Sequence, residues 1–404
     1  MSAASETWAS ETLPPPPKAM AQAVRTSRIT SIDALRGLVM VFMLLDHVRE
    51  TFWLYVAITD PVDARTVAPA LFFTRLTSTL CAPIFVALTG LSAYLYGQKH
   101  SKAEVSKFLL SRGVFLVLLE FTIVGYAWPT QSLSYPPPVI YLQVIWAIGL
   151  SMIALAALIY LPRWAQFTIG LGIVCLHNLL GGIVVTPGSP FHEIWGVLYE
   201  RTNFQIGSDL VIRTSYPLLP WIGVILTGYA CGPIFGRRIT TDAREKRLVA
   251  IGIGLIVGFL VLRFLNFYGD APWFQAQPPL RTVMSFLALT KYPPSLLFLM
   301  PTIGIGCLLL VLFERVPNSP VAKPLAYFGG APMFFYIVHL YVLKVLYNIM
   351  WATVGPNKGD YYGFDEFWMI WLSAAVLTVA MYFPTKWFAQ LKQRRKDIWW
   401  LKYL

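Results

Sequence analysis

Residues 31–56 read SIDALRGLVMVFMLLDHVRETFWLYV, an apolar stretch of membrane-spanning length that carries charged side chains towards both of its ends. A transmembrane helix needs about 20 mainly apolar residues to cross a hydrocarbon core of about 30 Å. An ionisable group inside a bilayer costs several kcal/mol, so it marks a wet cavity or a functional site. The stretch therefore predicts a membrane-spanning helix with a functional face.

The rest of the chain repeats this apolar pattern. Of the 404 residues, 56% are hydrophobic and 13% are charged, whereas about a quarter of the residues in soluble domains are charged. Ten apolar segments are long enough to span a bilayer: residues 31–56, 68–97, 112–129, 139–161, 165–186, 214–236, 247–267, 294–313, 326–352 and 366–390. The predicted fold class is all-α, a polytopic bundle of about ten membrane-spanning helices in a lipid bilayer.

The loops between these segments differ in charge. Lysine and arginine concentrate in alternate loops, and the loops between them are neutral or acidic. Since cytoplasmic loops carry the excess of basic residues, an even number of spans with both termini cytoplasmic satisfies every loop. Basic loops beside anionic headgroups also account for the net charge of +12. No nucleic-acid partner is expected.

The sequence divides into three parts. Residues 1–28 are polar and proline-rich and predict a disordered cytoplasmic tail. Residues 29–390 form the membrane domain, and residues 391–404 form a basic, aromatic cytoplasmic tail that would anchor at the interface. The longest outer loops, roughly 187–213 and 268–293, could shape an outer mouth. The four cysteines lie inside predicted spans without the spacing of metal ligands, so no metal site is expected.

Helical geometry organises the charges of the first span. Arg36 and His47 are eleven residues apart, about three turns, which places them on one face and about 16 Å apart along the axis. Arg36 then lies at the inner boundary and His47 in the outer half of the membrane. Asp46 projects about 100° away from His47, so Arg49 is its expected local partner. The group that orients the His47 imidazole should come from another span.

Other predicted spans and their ends contribute further polar groups. They are Arg75, Glu120, Arg263, Lys291 with Tyr292, His339 and Lys344. Simple structural roles remain open for several of them: Glu120 and Arg263 could each pair with one partner, Lys291 and Tyr292 could anchor at the interface, and Lys344 could extend to the headgroups. For His339, a buried hydrogen-bonded imidazole and a catalytic one are equally compatible with the sequence.

The chemistry of these groups suggests acyl transfer. Histidine can take a proton from a hydroxyl or amine and return it, as a general base does. Arginine can hold the phosphate of a carrier that enters from the cytosol. Three alternatives stay open: a polar seam that joins helices, a proton-coupled transporter using His47, Glu120 and His339 with Arg263 binding an anion, and a haem-binding subunit using His47 and His339.

Several motifs resemble a known family. Residues 31–37 (SIDALRG) running to 45–47 (LDH) resemble the first-helix signature of the transmembrane acyltransferase superfamily. Four further motifs look like its bacterial branch related to the catalytic domain of heparan-alpha-glucosaminide N-acetyltransferase: CAPIF at 81–85, QVIWAIG at 143–149, YPLLPWIG at 216–223 and KYPPS at 291–295. The resemblance covers about residues 28–350.

The resemblance implies an integral membrane acyltransferase of the bacterial inner membrane. It would take an acyl group, expected to be acetyl, from cytosolic acyl-CoA as co-substrate and transfer it to a sugar or similar hydroxyl or amine acceptor on the outer side. Arg36 and His47 match the superfamily's arginine and catalytic histidine. The animal enzyme is expected to use a histidine in the loop just after the first helix, but residues 51–65 contain none, so His47 must serve instead. Thr79 stands where relatives in the bacterial branch often carry a histidine.

The expected site follows from this comparison. His47 acts as general base or transient acyl carrier, with Arg36 at the CoA end. Six further residues are expected to shape the pocket: Asp46, Arg75, Arg263, Lys291, Tyr292 and His339. No permanently bound cofactor is expected, and a homo-oligomer is compatible with the sequence. The acceptor, the acyl chain length and the choice between O- and N-transfer stay open.

Overall fold

The computed structural model describes residues 18–128, 133–236, 238–395 and 397–402. Residues 1–17, which make up most of the predicted N-terminal tail, and the last two residues of the predicted C-terminal tail lie outside the described parts. Of the predicted tails, residues 18–28 belong to the first helix and residues 391–394 belong to the last one.

Fifteen α-helices make up most of the described chain. They are α1 (Lys18–Phe52), α2 (Pro69–Thr77), α3 (Cys81–Gly97), α4 (Lys102–Leu119), α5 (Gly125–Ala127), α6 (Val144–Leu158), α7 (Arg163–Leu176), α8 (His192–Leu198), α9 (Leu219–Ala230), α10 (Thr241–Leu265), α11 (Pro279–Leu287), α12 (Leu296–Arg315), α13 (Ala322–Gly330), α14 (Pro332–Val354) and α15 (Trp368–Arg394). A π-helical turn at Glu120–Val124 joins α4 to α5.

The helices confirm the predicted class, an integral membrane protein built from a helical bundle. Each of the ten apolar segments falls on a helix, and within the described residues seven helices are long and apolar enough to cross a membrane. Two of the remaining segments correspond to shorter apolar helices, Val144–Leu158 and Leu219–Phe235, and the third is α1. The count of ten spans and the cytoplasmic termini stay predictions.

Several segments begin at other residues than predicted, among them those predicted to start at 112 and 139. Helix α4 starts at Lys102 rather than at residue 112, because Ser101 and Glu104 form a capping box: the Glu104 N–H donates to Ser101 Oγ at 3.3 Å and the Ser101 N–H donates to Glu104 Oε2 at 2.8 Å. The segment predicted from residue 139 opens with a strand and becomes helical only at Val144.

A small sheet gathers the loops at one end of the bundle. Its strands are β1 (Val139–Leu142), β2 (Asn203–Ile206) and β3 (Leu210–Thr214), in the order β1–β3–β2. The β1–β3 pair is parallel and the β2–β3 pair is antiparallel. We call this end of the bundle the sheet end. We call the opposite end, where α4, α7 and α10 begin and α15 stops, the basic end.

Helix α1 is the central element of the bundle. It packs against α3, α12, α13, α14 and α15, and its middle residues Val39, Met40, Leu44 and Val48 are completely buried. Side chains on the remaining face of α1 are therefore also enclosed by other helices. A polar side chain in such surroundings needs a hydrogen-bonding partner.

The signature glycine of α1 permits a close helix crossing. A Cβ atom at Gly37 would lie 1.9 Å from the carbonyl oxygen of Leu325, and one at Gly329 would lie 1.9 Å from that of Asp33. Any side chain at these two positions would therefore push α1 and α13 apart. Glycine in the α1 signature thus has a packing reason: it lets the α13 backbone reach α1 next to Arg36.

Candidate active site

Two histidines from helices distant in sequence meet beside α1. His47 of α1 and His339 of α14 are both buried, and His47 Nδ1 lies 2.7 Å from His339 Nε2. The two rings are nearly coplanar, with an interplanar angle of 11°. This imidazole pair confirms that the partner of His47 comes from another helix, as helical geometry predicted.

The hydrogen bonds fix the tautomers of the imidazole pair. His339 Nδ1 lies 2.7 Å from the carbonyl oxygen of Phe335, and a carbonyl only accepts, so Nδ1 carries the proton. His339 Nε2 is then an acceptor, and His47 must donate to it from Nδ1. In the neutral pair, His47 Nε2 is therefore the basic nitrogen, ready to take a proton.

Two aromatic side chains enclose the His47 ring. Trp128 meets it edge-on with ring centroids 4.8 Å apart, and Tyr336 lies 6.1 Å away. Tyr336 also contacts His339, at 5.7 Å. Neither aromatic residue was predicted as a site residue, because a single tryptophan or tyrosine among 14 and 20 others carries no signal of its own.

Asp46 belongs to a neighbouring ion cluster and not to the imidazole pair. Its carboxylate accepts a hydrogen bond from Arg49 Nε at 2.8 Å and lies 3.6 Å from Lys291 Nζ. Arg49 also contacts Glu50 at 3.0 Å. The expected Asp46–Arg49 pairing is confirmed. The Asp46 carboxylate, which faces these cations, makes no hydrogen bond to His47 within the described residues.

The ion cluster continues into the loops at the sheet end. Asp60 accepts the backbone N–H groups of Lys291 at 3.1 Å and Tyr292 at 2.8 Å, and lies 4.0 Å from Arg75. Burial raises the pKa of Asp60 above its usual value, while these N–H donors and cations oppose that rise. The Tyr292 hydroxyl is 3.1 Å from that of Tyr216.

A small cavity opens beside this part of the cluster. It has a volume of about 210 Å³, and its polar lining comes from Asp60, Arg75, Thr79, Lys291 and Thr302. Three of the predicted pocket residues, Arg75, Lys291 and Tyr292, are thus brought together around Asp60. Of these, Lys291 also forms an ion pair with Asp46, the residue that precedes His47.

Arg36 anchors the other end of the first-helix signature. Its guanidinium donates to Asp33 at 2.9 Å, to the Gly329 carbonyl at 3.0 Å and to Ser92 Oγ at 3.3 Å. It also lines a cavity of about 350 Å³, which we call the basic cavity. The predicted arrangement, with Arg36 and His47 at separate depths on one side of α1, agrees with these contacts.

The basic cavity runs between the basic end and the imidazole pair. Arg36, Arg112 and Lys392 line it together with Tyr336. Met43 also lines it, and His47 follows Met43 by one helical turn. Most of the remaining lining is apolar. Lys392 lies close enough to Arg36 and Arg112 to interact with them electrostatically, and Tyr336 contacts both histidines.

Sequence reasoning missed Arg112 and Lys392 because it misplaced two helix ends. Arg112 was placed at the boundary between a basic loop and the segment 112–129, and Lys392 in the C-terminal tail, yet α4 begins at Lys102 and α15 continues to Arg394. The capping box at Ser101 was the available signal for Arg112. For Lys392, no local pattern distinguishes the end of a helix from the start of a basic tail.

Arg263 lies apart from the imidazole pair and the ion cluster. Its guanidinium donates to the backbone carbonyls of four residues, at distances between 2.7 and 3.1 Å: Ala271, Ser285, Phe286 and Ala288. These bonds join α10 to α11, to Ala288 directly after α11, and to the loop before α11 that contains Ala271. A substrate-binding role for Arg263 finds no support in this arrangement, which accounts for its burial by structural bonds alone.

Glu120 and Lys344 are two further buried charges, and they lie outside the ion cluster. Glu120 Oε2 accepts the Trp146 backbone N–H at 3.1 Å, and Lys344 donates to the Tyr126 carbonyl at 2.6 Å. Within the described residues, no group of three or more His, Cys, Asp or Glu side chains is close enough to hold a metal ion.

Comparison with known proteins identifies the family. No curated protein matches the sequence. The family model described as heparan-alpha-glucosaminide N-acetyltransferase, catalytic, matches residues 28–267, more than half of the chain. This range contains α1 with Arg36 and His47, and also Trp128. The chain is therefore a membrane-bound enzyme of the transferase class and belongs to the heparan-alpha-glucosaminide N-acetyltransferase catalytic family.

Proposed function

We propose that the protein transfers an acyl group, acetyl in the first instance, from acyl-CoA to a hydroxyl or amine acceptor that approaches from the sheet end. The observation that carries this proposal is the basic cavity. It has three cations towards the basic end and reaches Tyr336, which contacts both histidines.

The lining of the basic cavity suits acyl-CoA. Arg36, Arg112 and Lys392 would bind the phosphates of CoA, because guanidinium and ammonium groups form charge-assisted hydrogen bonds to phosphate oxygens. The apolar remainder of the cavity would hold the pantetheine arm. The thioester would then reach the neighbourhood of His47.

The chemical step uses the basic nitrogen of His47. The acceptor oxygen or nitrogen attacks the thioester carbonyl carbon while His47 Nε2 takes the acceptor proton. The resulting tetrahedral oxyanion collapses, the C–S bond breaks, and the CoA thiolate leaves with the proton that His47 returns. His339 is a positioning residue in this scheme, because its Nε2 holds the His47 Nδ1–H and keeps the opposite nitrogen basic.

The ion cluster and its small cavity are the proposed acceptor side. Arg75, Lys291 and Tyr292 surround Asp60, one ion pair from Asp46. Their cations and hydroxyl group can donate hydrogen bonds to a polyhydroxyl acceptor, and the Asp60 carboxylate can accept them. A sugar therefore fits the chemistry better than a purely apolar molecule.

Binding of acetyl-CoA to protein in lipid nanodiscs tests the proposal. Arg112→Gln and Lys392→Gln should each weaken binding by about tenfold, the loss of one charge-assisted contact. Lys107→Gln is the matched control, since Lys107 lies on α4 like Arg112 but faces outward and does not line the cavity. It should bind as wild type does.

Three results would count against the proposal: wild-type protein that does not bind acetyl-CoA, equal affinities for all four proteins, or movement of solute across liposomes without any dependence on CoA. The last result would support a transporter instead.

A further inference from the structure

Tyr336 has an unusual hydrogen-bonding state for a buried tyrosine. Its side chain is 4% exposed, and its hydroxyl has no hydrogen-bond partner among the described residues. A buried hydroxyl without a partner has lost its hydrogen bonds to water without replacing them, so such groups are rare and mark strain or function. This hydroxyl belongs to a side chain that lines the basic cavity.

Trp128 presents a second donor at the same place. Its indole Nε1 is buried and has no well-aligned hydrogen-bond partner among the described residues. It is a neighbour of the Tyr336 hydroxyl. Even where the indole N–H points to Tyr336 Oη, the Tyr336 proton itself still has no acceptor, because indole is a donor only.

No acceptor among the described residues takes the Tyr336 proton. Glu120 is one of the carboxyl groups that act electrostatically on this hydroxyl, and Glu120 Oε1 is likewise buried without a hydrogen-bond partner among the described residues. His47 donates from Nδ1 to His339, which uses the only acceptor nitrogen of His339. Two donors thus converge beside His47, and the nearby acceptors do not engage them.

From this geometry we infer that Tyr336, supported by Trp128, forms the oxyanion site of the transfer reaction. This inference rests on the proposed function and assigns catalytic roles that the family match does not give. The Tyr336 hydroxyl donates a hydrogen bond to the thioester oxygen as negative charge develops on it during attack by the acceptor. Donors held ready in a site that excludes water stabilise that charge strongly, because they need no reorganisation.

The position of Tyr336 explains the choice of this residue. It lines the cavity proposed for the donor and contacts both rings of the imidazole pair. The carbonyl carbon has to lie between the acceptor activated by His47 and the thioester sulfur. A hydrogen-bond donor in the wall of the basic cavity, next to the imidazole pair, can therefore reach the carbonyl oxygen while His47 takes the proton of the acceptor.

Steady-state release of CoA from acetyl-CoA tests the inference, with glucosamine as acceptor and water as the default one. Tyr336→Phe should lower kcat by about 10²-fold while the dissociation constant for acetyl-CoA changes less than twofold. Trp128→Phe should lower kcat by about tenfold. Tyr341→Phe is the matched control: Tyr341 is on the same helix and donates to the Ile123 carbonyl at 2.8 Å, outside the basic cavity. It should keep wild-type kcat.

A conservative replacement separates chemistry from packing. 3-Fluorotyrosine at position 336 keeps the shape and the hydroxyl and donates a stronger hydrogen bond, so it should retain at least wild-type kcat. Activity as low as that of Tyr336→Phe would overturn the oxyanion role, as would a Tyr336→Phe enzyme with more than half of wild-type kcat. A wild-type enzyme that never releases CoA would instead overturn the proposed function, and the oxyanion role with it.

Discussion

At the scale of single residues, the contact between His47 and His339 determines what the site can do. The Phe335 carbonyl fixes a proton on His339, His339 fixes one on His47, and the remaining nitrogen of His47 is left basic. The arrangement resembles the orientation of a catalytic histidine by a hydrogen-bonded acceptor in serine hydrolases. A neutral imidazole takes the place of the carboxylate, so His339 orients His47 without adding negative charge.

Replacing His339 should slow the reaction without weakening donor binding. His339→Ala removes the acceptor of the His47 Nδ1–H, so the tautomer and ring orientation are no longer held, and kcat should fall by about 10²-fold. His339→Gln should keep more activity, because its side-chain carbonyl can accept that N–H. The measurement is kcat and KM for acetyl-CoA, with His192→Gln in the α8 region as control. Equal activity of His339→Ala and wild type would refute the positioning role.

The sequence could predict part of this site. His47, Arg36 and the Asp46–Arg49 pair followed from the spacing along one helix, because helical geometry is regular. His339 was a candidate because it falls near the middle of a predicted span, where a histidine is hard to explain as lipid-facing. Tyr336 and Trp128 could not be found, since their roles depend on which unpaired donors face the histidines after folding. Arg263 was expected near substrate because a buried cation suggests function, yet four backbone carbonyls account for it.

At the scale of elements, two features hold the helices in place: the crossing of α1 and α13, and the attachment of α11 to α10 by Arg263. The crossing brings the Gly329 carbonyl to Arg36, so packing and the basic cavity depend on the same contact. The helix positions were predictable from the apolar pattern. The short helix α13 and the small sheet were not, because their sequences have no long apolar or alternating signal.

Gly37→Ala should destabilise the protein. The added Cβ would lie 1.9 Å from the Leu325 carbonyl oxygen, so α1 and α13 must separate, at a cost of about 2 kcal/mol or more. Gly172→Ala in α7 is the control, because nothing lies within 4 Å of its Cβ position. Thermal unfolding in detergent should show a lower midpoint for Gly37→Ala only. Equal midpoints for the two variants would argue against the crossing.

Arg263→Lys should lower stability and leave acetyl-CoA kinetics unchanged. Lysine cannot reach four carbonyls in fork geometry, so part of the α10–α11 attachment is lost. Arg247→Lys, an exposed change on the same helix, is the control. Thermal unfolding and the KM for acetyl-CoA are measured together. A raised KM with an unchanged unfolding midpoint would restore the predicted binding role of Arg263.

Across the molecule, the basic cavity and the ion cluster lie on different sides of the imidazole pair. Cations of the basic cavity face one end, and the ion cluster with the sheet faces the other. This division requires the basic end to be cytoplasmic, where acyl-CoA is available, as the distribution of lysine and arginine predicts.

Labelling with a membrane-impermeant maleimide tests this orientation. In a background with all four cysteines changed to serine, Asp209→Cys in the turn between β2 and β3 should react in spheroplasts with an intact membrane. Lys102→Cys at the start of α4 should react only after the membrane is opened. Both positions are exposed. The reverse labelling pattern would place the basic end on the outer side of the membrane, where the basic cavity could not receive acyl-CoA from the cytosol.

The most direct test of the central claim is a single turnover of radiolabelled acetyl-CoA by protein in nanodiscs, comparing wild type with His47→Gln. Both proteins should bind acetyl-CoA with the same affinity, since the cations of the basic cavity are intact. Release of CoA and loss of label from the thioester should be slowed by about 10³-fold in His47→Gln, the usual size of a general-base contribution. Release of CoA by His47→Gln at the wild-type rate would contradict the account.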